Sequence, residues 1–200
     1  MTDLDSSPDD VLLKQVAAGD RDAMGVLFRR RQQNVFRFAL HLTGSPTVAD
    51  DVTQDVFVAV IRDAARFDAG RSTVAAWLCG IARNYVRRRF AQPEAEPLDD
   101  EASESAPAVT PDPLGDLTQA QELEALRRAV LSLPMRYREA VVLCDLHEMA
   151  YADAAEALGC AVGTVRSRLH RGRTLLAAKM QAERRQHDEN VRGVIRRCSA

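Results

Sequence analysis

Residues 151–173 read YADAAEALGCAVGTVRSRLHRGR, and this stretch decides the fold. An alanine-rich segment, Tyr151 to Leu158, is followed by Gly159-Cys160 and then by a second segment running from Ala161 to about Lys179. Two short helices about a tight glycine turn have the spacing of a helix-turn-helix. On the second helix Val165, Leu169 and Leu176 share one face, while Thr164, Arg166, Ser167, Arg168, Arg171 and Arg173 lie largely on the others. An α-helix fits the major groove of B-DNA, where arginine can hold guanine in bidentate fashion and Ser or Thr hydroxyls serve bases or phosphates. The plainer reading is a solvated basic helix; the alanine-rich helix and glycine turn ahead of it favour DNA.

Upstream, Leu123, Leu126, Val130 and Leu131 mark a helix broken at Leu133-Pro134, and Arg138 to Leu146 forms another with Val141, Val142 and Leu143 apolar. Before these comes a different composition. Prolines 93, 97, 107, 111 and 113 are mixed with Glu, Ser and Ala, and Ala91 to Leu117 carries eight acids without a Lys or Arg. Such a segment buries too little apolar surface to offset its ordering entropy. It reads as a flexible acidic linker (91–117) between an amino domain (8–90) and a carboxyl domain (118–183), with a tail (184–200) of unassigned role.

The amino domain also reads as helix throughout. Val11, Leu12 and Val16 begin a short helix ending near Gly19. Asp20 caps the next, whose Leu27, Val35, Phe36, Ala39 and Leu40 face inward until Gly44-Ser45-Pro46 stops it. Thr47 with Asp50 resembles a capping box for a third helix, with Val52, Val56, Phe57, Val60 and Ile61 apolar. After a turn at Phe67-Asp68-Ala69-Gly70, a fourth helix carries Trp77, Leu78, Ile81, Ala82, Tyr85 and Val86 and ends in Arg87-Arg88-Arg89. The expected fold class is all-α: two small helical domains joined by the linker.

The net charge of −2 over 200 residues hides basic surfaces. Arg166 to Arg185 holds seven cationic residues against Glu183 alone, which suits a polyanionic partner. The fourth helix is a second nucleic-acid candidate, with Arg83, Asn84, Arg87 and Arg88 beside Trp77 and Tyr85, a composition suited to single strands. Trp77 and Tyr85 share the apolar stripe, however, and read more readily as core. Asp50, Asp51, Gln54 and Asp55 open the third helix, where acids favour the helix dipole; a docking face for a protein is the competing reading, and composition leaves both open.

Other classes find little support. No Gly-rich phosphate loop, Ser-His-Asp set or metal cluster stands out, and no cofactor is implied. His41, His147, His170 and His187 are isolated and read as surface residues. Cys79, Cys144, Cys160 and Cys198 form no C-x-x-C pair, and Cys79 and Cys160 read as core thiols rather than redox sensors. A receiver-type regulator would need apolar strands, which are not found. No apolar run suffices for membrane insertion, and the acidic Met1 to Asp10 lacks the apolar stretch of a signal peptide, so the cytoplasm is the expected compartment.

In this order the segments resemble the extracytoplasmic-function sigma factors. LFRRRQQNVFRFALHLTG, ADDVTQDVFVAV and RFDAGRSTVAAWLCGIARN are similar to their regions 2.1, 2.2 and 2.3–2.4, and LPMRYREAVVLCDLHEMAYADAAEALGCAVGTVRSRLHRGR to their region 4. The resemblance implies a non-enzymatic subunit that directs RNA polymerase to promoters and assists melting. It implies that Asp50, Asp51, Gln54, Asp55 and Phe57 dock on the clamp helices of the beta-prime subunit. Phe67, Asp68, Arg71, Ser72, Trp77, Arg83, Asn84, Arg87 and Arg88 would take the minus-10 element, with Asn84 beside a pocket for a flipped base. Thr164, Arg166, Ser167, Arg168, His170, Arg171 and Arg173 would read the minus-35 element. Further implied are a seat on the beta flap, passage of the linker through the RNA exit channel, and an anti-sigma partner. Two positions depart from the family pattern. Cys79-Gly80 stands where an aromatic and a basic residue are frequent, and Ala150 where Ser or Thr often caps a helix.

Overall fold

The computed structural model describes residues 4–90 and 117–198, with side chains placed over 4–90 and 122–182. The acidic linker therefore lies outside the described residues. Within them the chain is helical, without a strand: α1 (Asp9–Ala17), α2 (Arg21–Thr43), α3 (Pro46–Asp63), α4 (Val74–Phe90), α5 (Leu117–Leu131), α6 (Met135–Val141), α7 (Tyr151–Leu158) and α8 (Val162–Cys198). Short 3-10 turns lie at Leu4–Ser6 and Ala64–Arg66. No described helix is long and apolar enough to cross a membrane.

Local chemistry sets the helix ends. Asp20 accepts from the amides of Asp22 and Ala23 at 2.8 and 3.0 Å, satisfying two donors at the start of α2. Gly44 ends α2 at φ +70°, a left-handed conformation that costs a side-chain-bearing residue about 1–2 kcal/mol. The cap of α3 is Ser45, whose hydroxyl accepts from Val48 N at 3.4 Å with Pro46 at the first helical position. This corrects the expected Thr47–Asp50 capping box: the helix starts earlier because proline supplies a helical φ and lacks an N–H to satisfy.

Leu12, Leu13, Val16, Leu27, Val35, Phe38, Leu42, Val52, Val56, Val60, Leu78, Ala82 and Val86 build the core of the amino half. Leu13 rather than Val11 faces inward on α1, and Ile61 stands 65% exposed on α3, outside the stripe predicted for it. In the carboxyl half Val130, Leu133, Ala140 to Leu143, Ala154, Leu158, Val165 and Leu169 are buried, whereas Leu123 is exposed. The second helix here starts at Met135, earlier than expected, because Pro134 can lead it. It widens into a π-helical turn, Val142–Leu146, closed by His147 N to Val142 O at 3.0 Å. The final helix runs to Cys198, well past the expected Lys179.

The two halves share one continuous apolar core. Gly80 explains itself here. A Cβ added to it would lie 3.4 Å from the carbonyl oxygen and 3.5 Å from Cα of Ala157, so glycine lets the α7 backbone settle directly on α4. At the other end of the seam Arg138 donates to Leu42 O at 2.5 Å, and also to Leu131 O and Leu133 O. One guanidinium thus ties the carbonyl-rich ends of α2 and α5 together.

Candidate nucleic-acid interface

Gly159 at φ +62° makes the turn between α7 and α8, and Cys160 N closes it on Ala155 O at 3.0 Å. Ala150 precedes α7 without a side-chain cap, as its methyl group requires. Val165 and Leu169, at 0 and 2% exposure, anchor α8. Gly172 brings α8 against α6: a Cβ there would sit 2.7 Å from Val141 Cγ2 and 3.3 Å from Tyr137 O. With that face buried, Arg166, Ser167, His170, Arg171 and Arg173 are exposed, and Thr164 and Arg168 are half-buried at the edge.

These side chains are not equivalent. The Arg173 guanidinium forms a two-point contact with Asp145 at 2.6 and 3.1 Å, which raises its pKa and commits it to the domain's own structure. Arg171 reaches Tyr137 Oη at 3.5 Å and lowers the phenol's pKa through that contact. Arg166 lies over the Tyr151 ring at 5.9 Å, while Ser167 donates to Thr164 O at 3.0 Å.

A second site lies on the amino half. A cavity of about 320 Å³ opens between α3 and α4, with Trp77, Tyr85 and Asn84 on one wall and Arg62, Arg66 and Arg88 among its rim residues. Trp77 is held edge-on by Phe67 at 5.6 Å, and Arg88 lies over the Tyr85 ring at 5.9 Å. Asp63 pairs with Arg62 at 2.6 Å and Arg66 at 3.1 Å; the hydrogen bond from Arg62 holds its carboxyl below the usual range. Trp77 and Tyr85 are neither plain core nor free platforms, being half-buried with one side on the cavity. Arg62, Asp63 and Arg66 were missed in the sequence; their i, i+1, i+4 placement at the end of α3 was the available signal. In the preceding loop Asp68 accepts from Gly70 N at 2.9 Å, and Ser72 donates to Thr73 O at 3.1 Å. Arg71 reaches Glu156 at 3.6 Å.

Arg83 and Arg87 do not join this cavity. Both turn to Glu139 of α6, which is fully buried and accepts from their Nε atoms at 2.9 Å each.

On α3, Asp50 and Gln54 are exposed, while Asp51 and Asp55 are drawn to Arg89 at 2.8 and 3.2 Å. Phe57 is 4% exposed, edge-on to Phe28 at 4.8 Å, and packs in the core. The exposed apolar side chains of α3 are Val58 and Ile61, at 63 and 65%. His41 and His147, read from the sequence as surface residues, are half-buried, and their rings meet 5.9 Å apart at the seam. His170 is exposed, and the side chain of His187 lies outside the described residues. Cys79 is buried, which pushes its thiol up to about 12. Among the described residues no group of three or more His, Cys, Asp and Glu could hold a metal.

Comparison with known proteins gives consistent matches. The sigma-70 region 2 family model matches residues 27–94, and the sigma-70 region 4 model residues 123–176. SigM of Mycobacterium tuberculosis, an ECF RNA polymerase sigma factor, is 37% identical over 169 residues, covering 83% of this chain and 81% of that protein. SigE of Mycolicibacterium smegmatis, also an ECF RNA polymerase sigma factor, is 38% identical over 168 residues, covering 80% of this chain; the match spans 63% of SigE's length. Among solved structures, CnrH in complex with the cytosolic domain of CnrY superposes with a TM-score of 0.66 at 28% identity, covering 87% of this chain and 97% of that one. The sigma factor RpoE in complex with the anti-sigma factor NepR from Bartonella quintana gives 0.58 at 30% identity, covering 77 and 94%.

Proposed function

The chain belongs to the ECF RNA polymerase sigma factors of the sigma-70 family, and we propose that its two arginine-bearing sites read the two boxes of a promoter while α3 docks on core polymerase. Residues 8–90 act as region 2, 91–117 as the linker and 118–183 as region 4. The observation that carries this reading is α8, whose exposed Arg166, Ser167, His170 and Arg171 stand opposite the buried Val165 and Leu169.

α8 enters the major groove at the minus-35 element. Arg166 and Arg171 supply base-edge or phosphate contacts, with Thr164 and Arg168 at the margin. Arg173 braces the domain through Asp145. The cavity between α3 and α4 receives an unpaired base of the minus-10 non-template strand. Extruding a base costs a few kcal/mol, and stacking on an aromatic returns about 1–3 kcal/mol. Trp77 and Tyr85 provide the stack and Asn84 the hydrogen bonds, while Arg62, Arg66 and Arg88 attract phosphates. Because duplex DNA cannot reach this cavity stacked, filling it favours the melted state. Asp50, Gln54, Val58 and Ile61 form the face of α3 that meets the beta-prime clamp helices, and region 4 takes the beta flap. The polymerase performs the chemistry. The protein acts where the polymerase is, in the cytoplasm, and an anti-sigma protein is its regulator, a reading supported by the NepR-bound relative.

Selection from a random duplex library by core polymerase with and without the protein tests this reading. The expected result is enrichment of fragments carrying two boxes at a fixed spacing only when the protein is present. Enrichment equal to that of core alone rejects it.

A further inference from the structure

We propose that Arg136, Tyr137 and Arg171 form a seat for one backbone phosphate of the DNA at the minus-35 element, set outside the base-reading part of α8. The proposal deepens the reading of α8 as the minus-35 helix and rests on it.

Three side chains from two helices converge there. Arg171 on α8 donates from Nη1 to Tyr137 Oη at 3.5 Å, and the guanidinium of Arg136 on α6 lies 4.8 Å from the centroid of the Tyr137 ring. A Cβ at Gly172 would meet Tyr137 O at 3.3 Å, so glycine is what lets α8 approach α6 at this point. Tyr137 is 5% exposed and is fixed by its packing, whereas Arg136 and Arg171 face solvent. The hydrogen bond from Arg171, then the charge of Arg136, lower the phenol's pKa against the opposing effect of burial. With its oxygen accepting from a guanidinium, the hydroxyl keeps its proton for an acceptor outside the protein. Among the described residues no carboxylate pairs with Arg136, in contrast to Arg173, which Asp145 holds at 2.6 Å. Two guanidiniums and a hydroxyl proton are a donor set suited to phosphate oxygens.

Distance decides for a phosphate over a base. Arg171 lies seven positions after Thr164, about 10.5 Å along a helix. The major groove is about 8.5 Å deep. When the start of α8 reaches base edges, Arg171 is therefore level with the groove wall. Arg136 stands further aside, on α6. The groove is about 12 Å wide and a helix with its side chains about 10–12 Å across, so α8 fills it. A side chain from the neighbouring helix then meets the sugar-phosphate strand and not the groove floor. Contacts of this kind set register and orientation and carry no sequence information. The seat holds α8 at one depth, so that Arg166 meets the same base each time.

Binding of the holoenzyme, formed from core polymerase and the full chain, to a promoter duplex it enriches tests the seat, with fluorescence anisotropy read at several salt concentrations. Arg136→Gln is expected to weaken binding several-fold, by the same factor for a matched and a mismatched minus-35 box. It is also expected to lower the slope of log affinity against log salt by about 0.9, the value for one lost phosphate contact. Arg136→Lys keeps the charge and is expected to keep the slope. Should Arg136→Gln lose its helical circular dichroism, Arg171→Gln replaces it with the same expectation. Single methylphosphonate substitutions along the minus-35 strands then locate the phosphate: at one position the neutral group weakens wild type several-fold and leaves the Gln variant unchanged. A slope equal to that of wild type, an altered minus-35 base preference, or no position at which the two proteins respond differently overturns the seat. A wild-type holoenzyme that prefers no duplex beyond the preference of core alone rejects instead the sigma reading beneath it.

Discussion

The ring of His147 meets that of His41 edge-on, with centroids 5.9 Å apart and planes at 83°, across the seam between the two halves. His147 also stands edge-on to Phe38 at 5.7 Å. Burial, then the neighbouring His41 and Arg37, lower the His147 pKa from 6.5 to about 4; burial with Arg127 and Arg37 lowers that of His41. The folded state thus disfavours the proton that the unfolded chain accepts. The stabilisation is fully present above pH 6.5 and is lost as pH falls from 6.5 toward about 4. Urea unfolding at pH 7 and pH 5 should differ by roughly 1–2 kcal/mol after allowance for partial exposure. His147→Phe, which keeps the ring contact without a titrating nitrogen, should reduce that difference.

Gly172 sits where α8 crosses α6, and alanine there would place its methyl 2.7 Å from Val141 Cγ2 with Tyr137 O at 3.3 Å. Gly172→Ala should cost about 1–3 kcal/mol by overpacking, despite alanine's better helix propensity. A lower thermal midpoint together with weaker binding to minus-35 DNA is the expected pair of readouts.

Much of the fold was legible because its determinants are local. Asp20, the Gly44-Ser45-Pro46 break, Leu133-Pro134 and Gly159 mark helix ends in the sequence itself, and the exposed residues of α8 follow from the burial of Val165 and Leu169 at helical spacing. What was not legible depends on which helix faces which. Glu139 and Arg83 are 56 positions apart, and nothing in their neighbourhoods marks them as partners. The same holds for His41 with His147. Ile61 and Phe57 both fit the stripe of α3, and only packing against Phe28 decides that Phe57 is buried and Ile61 is not. Gly80, a departure from the family pattern in sequence, becomes intelligible once α7 lies on it.

Arg166 and Arg173 lie two turns apart on α8 and should behave differently. Arg166 is exposed, its guanidinium lying over the Tyr151 ring, so Arg166→Ala should weaken minus-35 binding by about 1–3 kcal/mol if the contact is a bidentate one to a base. Arg173 is held by Asp145, and Arg173→Ala should change stability by about 0–1 kcal/mol, with promoter preference retained. Titration of holoenzyme against one promoter fragment, with each variant, separates the two.

The cavity between α3 and α4 should govern melting rather than duplex binding. Trp77→Ala and Asn84→Ala should each lower the population of open complex by about 1–3 kcal/mol per lost base contact while leaving binding to a minus-35 duplex intact. Permanganate reactivity of thymines around the start site reads the first quantity, and fluorescence anisotropy with duplex DNA the second.

The most direct test of the sigma reading is transcription from a fragmented genomic template by core polymerase, with and without this protein, followed by mapping of transcript 5′ ends. New starts sharing paired upstream boxes are expected, and Arg166→Ala should reduce them most where the upstream box is matched best. If no new starts appear while the same core is active with another sigma factor, the chain does not direct initiation, and a stand-alone helix-turn-helix regulator becomes the better description.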